Sequence, residues 1–131
     1  YLTAVLPATH PLAKADNLPF EQLRGETFLL FPEHSFINDL CIRECRNAGF
    51  EPHIAYTGNR GATLIDLVRN GAGITLMMHH SARQENDSSL AFILVTPGIY
   101  SYISLNYAKE KPLSPQAESF VRYVKAHKRD F

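Results

Sequence analysis

The sequence is poor in cysteine, and its two cysteines are badly placed for cross-linking or metal binding. Cys41 and Cys45 lie four residues apart on one predicted helix, a spacing that does not fit disulfide geometry easily. The sequence offers no second pair that could complete a zinc site. We therefore interpret both side chains as reduced, partly buried thiols of a cytoplasmic protein rather than as a redox pair.

The sequence also lacks a long apolar run and an excess of charge of either sign. No run approaches the length of a membrane span, and no signal peptide opens the chain. Thirteen basic side chains balance thirteen acidic ones, so the surface does not resemble one that grips a nucleic-acid backbone. Residues 1–7 predict a strand already under way, and we expect the chain to begin inside a fold.

Motifs of catalysis and metal binding are missing as well. The sequence has no Gly-x-Ser-x-Gly elbow, no HExxH and no P-loop, and its GAG segment at residues 71–73 ends a predicted helix rather than starting one. His34, His79 and His80 lack a supporting carboxylate spacing, and adjacent histidines on an irregular segment diverge. We predict no enzymatic activity, no cofactor and no metal site.

Short apolar segments alternate with amphipathic ones along the chain. Strands are predicted from β-branched and aromatic residues bounded by Gly, Pro or polar residues, at residues 2–6, 27–31, 53–57, 74–77, 91–95 and 102–107. Helices are predicted from apolar periodicity and capping residues, at residues 20–24, 36–48, 62–69 and 115–128. This order predicts an α/β fold with a mostly parallel sheet flanked by helices. We expect its central strands to contain Phe28, Leu30, Ile54, Ile74 and Leu76.

Two strand-to-helix turns are predicted to open at the same edge of this sheet, where small ligands bind in α/β proteins. The first loop contains Pro32, Glu33, His34, Ser35 and Phe36. Its helix start offers backbone N–H groups to an anion, and an aromatic ring or proline could cover the apolar part of a ligand. The alternative is that the serine only caps its helix, and the two roles are compatible.

The second loop contains Thr57, Gly58, Asn59 and Arg60, and Thr63 follows one turn later. The glycine allows a close backbone approach, and the arginine could supply a cation for a carboxylate or phosphate. A solvated surface arginine is the alternative interpretation. Glu33 would repel an anion unless it pairs with Arg60 or points to solvent. Together the two loops predict a site for a small anionic molecule.

Several short segments follow one another along the chain in a characteristic order and spacing: AVLP at 4–7, HPLA at 10–13, LRGETFLLFP at 23–32, AGFEPHIA at 48–55, TLIDLV at 63–68, GAGITL at 71–76 and KEKPLSP at 109–115. Together these segments resemble the effector-binding domain of LysR-type transcriptional regulators. The chain departs from that family at Met78, which is followed by His79 and His80 where the family usually has a proline, so we expect a looser turn there.

The resemblance implies a two-lobed fold like that of periplasmic binding proteins, truncated at its N-terminal side. Residues 1–98 would form the second lobe with its crossing strand, and residues 99–131 would return a strand and a helix to the incomplete first lobe. It further implies a cytoplasmic module that binds a small effector between the lobes and changes DNA binding through a helix-turn-helix absent from this chain. The alternative is a solute-binding lobe of a transport receptor.

The apolar residues of the last helix predict association. Phe120, Val121 and Val124 form a stripe that the missing half of the first lobe would cover. An exposed strand edge at residues 102–107 would add a template for pairing. We expect this tail to fold back on its own lobe or to pack against a second copy, and of these we favour a homodimer.

Overall fold

The computed structural model describes residues 1–82, 87–102, 104–108 and 110–127. These residues divide into two units, Tyr1–Ser101 and Tyr102–Phe131. The assignment of residues 1–98 and 99–131 to different lobes stays a prediction.

The first unit is built on strands that form one mixed sheet. β1 pairs antiparallel with both β5 and β6, whereas β2 pairs parallel with β6 and β3 pairs parallel with β4. The strands are β1 (Leu2–Pro7), β2 (Leu18–Pro19), β3 (Thr27–Leu30), β4 (His53–Thr57), β5 (Thr75–Met78) and β6 (Leu90–Thr96).

A short parallel bridge between Phe28 and Ile74 connects β3 to β5. The Ile74 amide donates to the Thr27 carbonyl and the Leu29 amide donates to the Ile74 carbonyl, each over 2.8 Å. Gly73 permits this approach, because a Cβ there would lie 2.4 Å from the Thr27 oxygen. The spatial order is therefore β4-β3-β5-β1-β6-β2, and only β1 runs against the others. The predicted α/β fold is confirmed, and its sheet is mixed, because β1 pairs antiparallel with both of its neighbours.

Helices α1 (Phe36–Asn47) and α4 (Pro115–Ala126) begin directly after a capping serine, whereas α2 (Gly61–Arg69) begins without a side-chain cap. α1 starts after Ser35, α2 starts after Arg60, and α3 (His79–Ala82) is a single turn. Two short 3-10 helices span Pro11–Lys14 and Phe20–Leu23. In the second unit, α4 starts with a proline at its first position, where the missing N–H costs nothing.

The core of the first unit lies on both faces of the sheet, because neighbouring residues of each strand point in opposite directions. Phe28 and Leu30 belong to one buried cluster, which includes Leu40, Cys41 and Cys45 of α1. The other cluster joins β-strand residues to α2, and its buried members are Val5, Leu29, Leu64, Ile65, Val68, Met77, Ala82 and Leu90. Each fully buried apolar side chain contributes roughly 1.5–3 kcal/mol relative to exposure, so this sheet and its helices hold the first unit together.

Three sequence predictions need correction. Ile54 was expected on a central strand, but β4 is the edge of the sheet and Ile54 is only partly buried. A strand was also expected at residues 102–107, but residues 102 and 104–107 form none, and Ile103 lies outside the described residues. A high β-propensity means only that a residue fits well into a packed sheet. A strand also needs a neighbouring strand to pair with its backbone groups. His79 and His80 lie in the turn of α3, which begins directly after β5, rather than on an irregular segment.

Candidate functional site

The first loop leads from the end of β3 into α1. Ser35 accepts a hydrogen bond from the Asn38 amide at its Oγ, over 3.3 Å, so the capping role predicted as an alternative is present. Just before it, His34 adopts a left-handed conformation with φ of 64°. A non-glycine residue takes this conformation rarely, and such strain clusters at functional loops. The amides of Phe36 and Ile37 remain at the helix start without an intrahelical acceptor.

Asn38 was missed by the sequence reasoning, yet it fixes the geometry of the first loop. Its side chain is 1% exposed, and its Nδ2 donates to the Phe31 carbonyl over 2.8 Å. This bond ties the end of β3 to the first turn of α1. The signal in the sequence was a polar residue three positions after the capping serine, on the side of the helix that carries the apolar stripe.

The second loop is held against the end of β3 by a backbone hydrogen bond. The Gly58 amide donates to the Leu30 carbonyl over 3.0 Å. A Cβ at Gly58 would lie 2.7 Å from the ring of Tyr56, so the close approach predicted for this glycine is made by a protein side chain. A Cβ at Gly61 would lie 3.7 Å from the Phe31 ring, which brings the start of α2 next to the first loop.

The two helix starts at this edge differ in charge and capping. α1 has the Ser35 cap and Asp39 in its first turn. α2 begins after Arg60, which supplies no side-chain cap, and has no acidic residue in its first turn. A helix start carries about half a positive charge and unpaired N–H groups. The start of α2 is therefore the better of the two for receiving an anion.

The predicted ion pair between Glu33 and Arg60 does not form among the residues that the structure describes. Both side chains are exposed. Glu33 therefore points to solvent, which was the second of the two predicted alternatives. Arg60 consequently keeps its charge available at the uncapped start of α2.

A surface cavity of about 470 Å³ lies between α1 and the edge strand β4. It includes three of the predicted ligand residues, namely Glu33, His34 and Thr57, but leaves out the seven others. The complete lining is Glu33, His34, Asn38, Asp39, Ile42, Ile54, Ala55, Tyr56 and Thr57. The predicted site residues thus divide among this cavity, the start of α1 and the start of α2.

The two thiols are fully buried beneath α1, in contrast to the partial burial expected from the sequence. Burial raises the pKa of Cys41 far above its usual range, and the neighbouring Cys45 and Glu44 add to the effect. Burial likewise raises the pKa of Cys45 to about 12, with Glu51 and Glu44 contributing. The thiolate is the reactive form of cysteine, so neither side chain is a nucleophile at neutral pH.

Metal-ligand clusters and membrane-spanning helices are absent from the residues that the structure describes. Within them, no three His, Cys, Asp or Glu side chains group together as metal ligands would. No helix in the same part of the chain has the length and apolar character to span a bilayer.

Comparison with known proteins gives one family. A family model described as the LysR substrate binding domain matches residues 1–129. The transcriptional dual regulator GltC of Bacillus subtilis is 29% identical over 122 residues, which cover 92% of this chain and 41% of GltC. The regulator CatR of Pseudomonas putida is 33% identical over 111 residues, covering 82% of this chain and 38% of CatR. The chain thus spans about two fifths of the length of these relatives.

Solved structures agree with this fold. The Synechocystis PCC6803 CcmR regulatory domain in complex with 2-PG superposes with a TM-score of 0.79 at 18% identity, covering 95% of this chain and 61% of CcmR. The effector binding domain of QuiR in complex with shikimate gives a TM-score of 0.71 at 22% identity, covering 96% of this chain and 62% of QuiR. At such low identities the likeness concerns the fold alone, which is like that of periplasmic binding proteins.

Proposed function

The chain belongs to the LysR substrate-binding domain family, and from that premise we propose that it senses a small organic anion for a cytoplasmic transcriptional regulator. The effector would bind at the edge of the sheet where β3 and β4 end, between this lobe and a second one. Binding would change how the full-length regulator holds DNA. The chain itself would carry no catalytic activity.

The observation that carries this proposal is the start of α2. Arg60 precedes a helix that has neither a side-chain cap nor an acidic residue in its first turn. The Gly58 amide fixes the preceding loop to Leu30 over 3.0 Å. A carboxylate placed there would meet backbone N–H donors, the positive end of the helix and a guanidinium. Shikimate, which is named with the QuiR domain, is a carboxylic acid and illustrates this ligand class.

The transport-receptor alternative is less well supported. Both fold types share the two-lobed architecture, but the family match covers residues 1–129 and the curated relatives are transcriptional regulators. We therefore keep the regulator as the leading proposal and retain no enzymatic candidate.

DNA would be bound by a helix-turn-helix outside these residues. The chain has thirteen basic and thirteen acidic side chains, so few counterions would be released if it met a duplex. We expect negligible binding of the isolated chain to duplex DNA in a fluorescence-anisotropy titration. Salt-sensitive binding at micromolar concentration would contradict this part of the proposal.

The effector site is tested with a thermal-shift screen of carboxylates and phosphates on a protein that contains both lobes. A bound effector raises the melting temperature by mass action. With the best anion in hand, Arg60→Gln should weaken binding at least tenfold, because a charge-assisted hydrogen bond contributes roughly 1.5–3 kcal/mol. The control is Arg43→Gln, which removes another exposed cation, the one on α1 that pairs with Glu44. Equal affinities of the two variants would contradict the proposed role of Arg60.

A further inference from the structure

Three aromatic side chains lie together at the edge of the sheet where β3 and β5 end. Tyr1 precedes β1, which runs against β5, so it lies at the same edge as His79, the residue that follows β5. The Tyr1 and His79 rings stack with centroids 4.4 Å apart and planes inclined by 23°. The Tyr100 ring meets Tyr1 edge-on at 6.4 Å. These three residues, which we call the aromatic cluster, all belong to the first unit.

Hydrogen bonds and close packing fix the aromatic cluster in place. The His79 amide donates to the Tyr1 carbonyl over 2.8 Å, and a hydrogen bond of 3.4 Å joins His79 Nδ1 to Oγ1 of the fully buried Thr3. The Tyr100 ring lies against Gly98, where a Cβ would come within 3.1 Å of it. Tyr1 and Tyr100 nevertheless remain 42% and 61% exposed. The cluster therefore presents aromatic surface whose position is already set.

The aromatic cluster lies on the face of the sheet that α2 covers. Thr3 pairs with Met77 across β1 and β5, so both side chains point to one face, and Met77 belongs to the buried group that includes α2. Phe31 packs against that same group, and a Cβ at Gly61 would lie 3.7 Å from its ring. The aromatic cluster, Phe31 and the start of α2 thus share one edge and one face of the sheet.

From this arrangement we propose that the effector is an arylalkanoate, a carboxylate joined to a flat ring by a short chain. The inference rests on the proposed function, which assigns the carboxylate to the start of α2, and it adds the place of the ring. β5 lies between β3 and β1. Since neighbouring strands are about 4.8 Å apart, His79 and Tyr1 lie about 5 and 10 Å beyond the end of β3. A carboxylate held at the start of α2 therefore needs a linker of a few atoms to bring its ring to the cluster.

A flat ring suits the aromatic cluster better than a saturated one. Aromatic rings prefer offset-stacked or edge-to-face contacts, and each such contact strengthens binding about two- to tenfold beyond the area that it buries. The planes of Tyr1 and Tyr100 are inclined by 72°. A flat ring that stacks on one of them consequently meets the other nearly edge-on, so both favourable geometries are available to one ligand.

The test is a titration of the isotope-labelled chain with sodium 3-phenylpropanoate, followed by NMR of its amides and aromatic rings at constant ionic strength. 3-Cyclohexylpropanoate keeps the charge and the linker without the flat ring, and 3-phenylpropan-1-ol keeps the ring without the charge. We expect saturable shifts of the aromatic cluster with 3-phenylpropanoate and at least threefold weaker binding of the cyclohexyl acid. Equal affinities of the two acids, or shifts that spare the cluster, would overturn the proposal.

Variants separate recognition of the ring from folding. Tyr1→Leu and Tyr100→Leu each keep an apolar side chain, and we expect each to weaken 3-phenylpropanoate binding about two- to tenfold, with a smaller loss for the cyclohexyl acid. The matched control is Tyr123→Leu, because Tyr123 stacks on His127 of the second unit in a similar way, at 4.1 Å and 22°. The amide spectrum of each variant shows that the fold is kept. Equal binding by all three variants would show that the cluster does not contact the ligand.

Failure of this inference is distinguishable from failure of the anion site. If the anion site alone is correct, the two acids bind with equal affinity and Arg60→Gln weakens both. If the anion site is wrong, 3-phenylpropan-1-ol binds as tightly as 3-phenylpropanoate, and Arg60→Gln changes neither affinity. Both results overturn the arylalkanoate, whereas only the second overturns the anion site.

Discussion

Helices α1 and α4 follow the same local rules, but only α1 has a buried face. Each is twelve residues long, each begins after a serine whose Oγ accepts a backbone N–H over 3.3 Å, and each has an amphipathic pattern. α1 buries Asn38, Leu40, Cys41 and Cys45. α4 buries no residue, and its Phe120 and Tyr123 are 56% and 55% exposed.

The difference shows that capping and periodicity set where a helix forms, whereas burial depends on a neighbouring surface. Most helix stability in proteins comes from packing of the apolar face rather than from propensity. α1 packs on the sheet of the first unit, in the cluster that contains Phe28 and Leu30. On the apolar side of α4, Phe120 is exposed and Val121 and Val124 are only half-buried.

The largest expected difference in stability is between a variant that loses a buried aromatic ring of the first unit and a variant that loses an exposed ring of α4. Phe28→Ala should lower the free energy of unfolding by about 3–5 kcal/mol, because it empties a fully buried site between α1 and the sheet. Phe120→Ala should change it by less than about 0.5 kcal/mol, as for a surface residue. Urea denaturation below the concentration of any self-association measures both, and similar losses would remove the distinction between the two helices.

The next effect concerns the buried thiols of α1, which α4 lacks. The unfolded thiols ionise near pH 9.0, whereas the folded pKa of Cys45 is about 12 and that of Cys41 is higher still. Below pH 9 the thiols are protonated in both states, and the folded state keeps its full stability. As the pH rises above 9, stability is lost, because the thiols release their protons only in the unfolded state. We expect about 1.4 kcal/mol per thiol to be lost by pH 10.

The double variant Cys41→Ala and Cys45→Ala is the control for this pH dependence, since tyrosines and lysines also titrate in alkali. Urea denaturation at pH 8 and pH 10 should give a smaller loss for the variant than for the native chain. Equal losses of unfolding free energy would mean that ionisation of the thiols does not cause the pH dependence. Slow alkylation of both thiols in the folded chain at pH 8 provides an independent measurement.

Self-association would bury the apolar side of α4. We expect the chain to form a homodimer at tens of micromolar through the stripe of Phe120, Val121 and Val124, since burying each such side chain contributes roughly 1.5–3 kcal/mol. Phe120→Ser should weaken the dimer at least tenfold in sedimentation velocity. The matched control is Tyr56→Ser, an aromatic ring of comparable exposure in the first unit. A monomeric native chain at that concentration would contradict the prediction.

The smallest effect separates the two serine caps. Ser35→Ala should cost about 1 kcal/mol of global stability, because α1 is part of the core. Ser114→Ala removes an equivalent cap, but its cost should appear as local fraying of α4 without a change in the unfolding of the first unit. Amide hydrogen exchange distinguishes the two results. Equal loss of global stability from both variants would show that α4 unfolds together with the first unit.

The sequence by itself determined the elements whose signals are local. Ser35, Ser114 and Pro115 mark helix starts to the residue, and short β-branched or aromatic runs located five strands to within one residue at each end, because caps and propensities act within a few residues. It also determined the family, which the match of the family model to residues 1–129 confirmed.

Contacts between distant segments were decided only by the tertiary structure. The edge position of β4, the bond from Asn38 to Phe31 and the separation of Glu33 from Arg60 depend on how strands and loops meet. The absence of a strand at residue 102 and at residues 104–107 is of the same kind, since a strand requires a partner for its backbone. Hydrogen bonds and charges act over a few ångströms in space, and a linear sequence records which groups are present without fixing which of them come together.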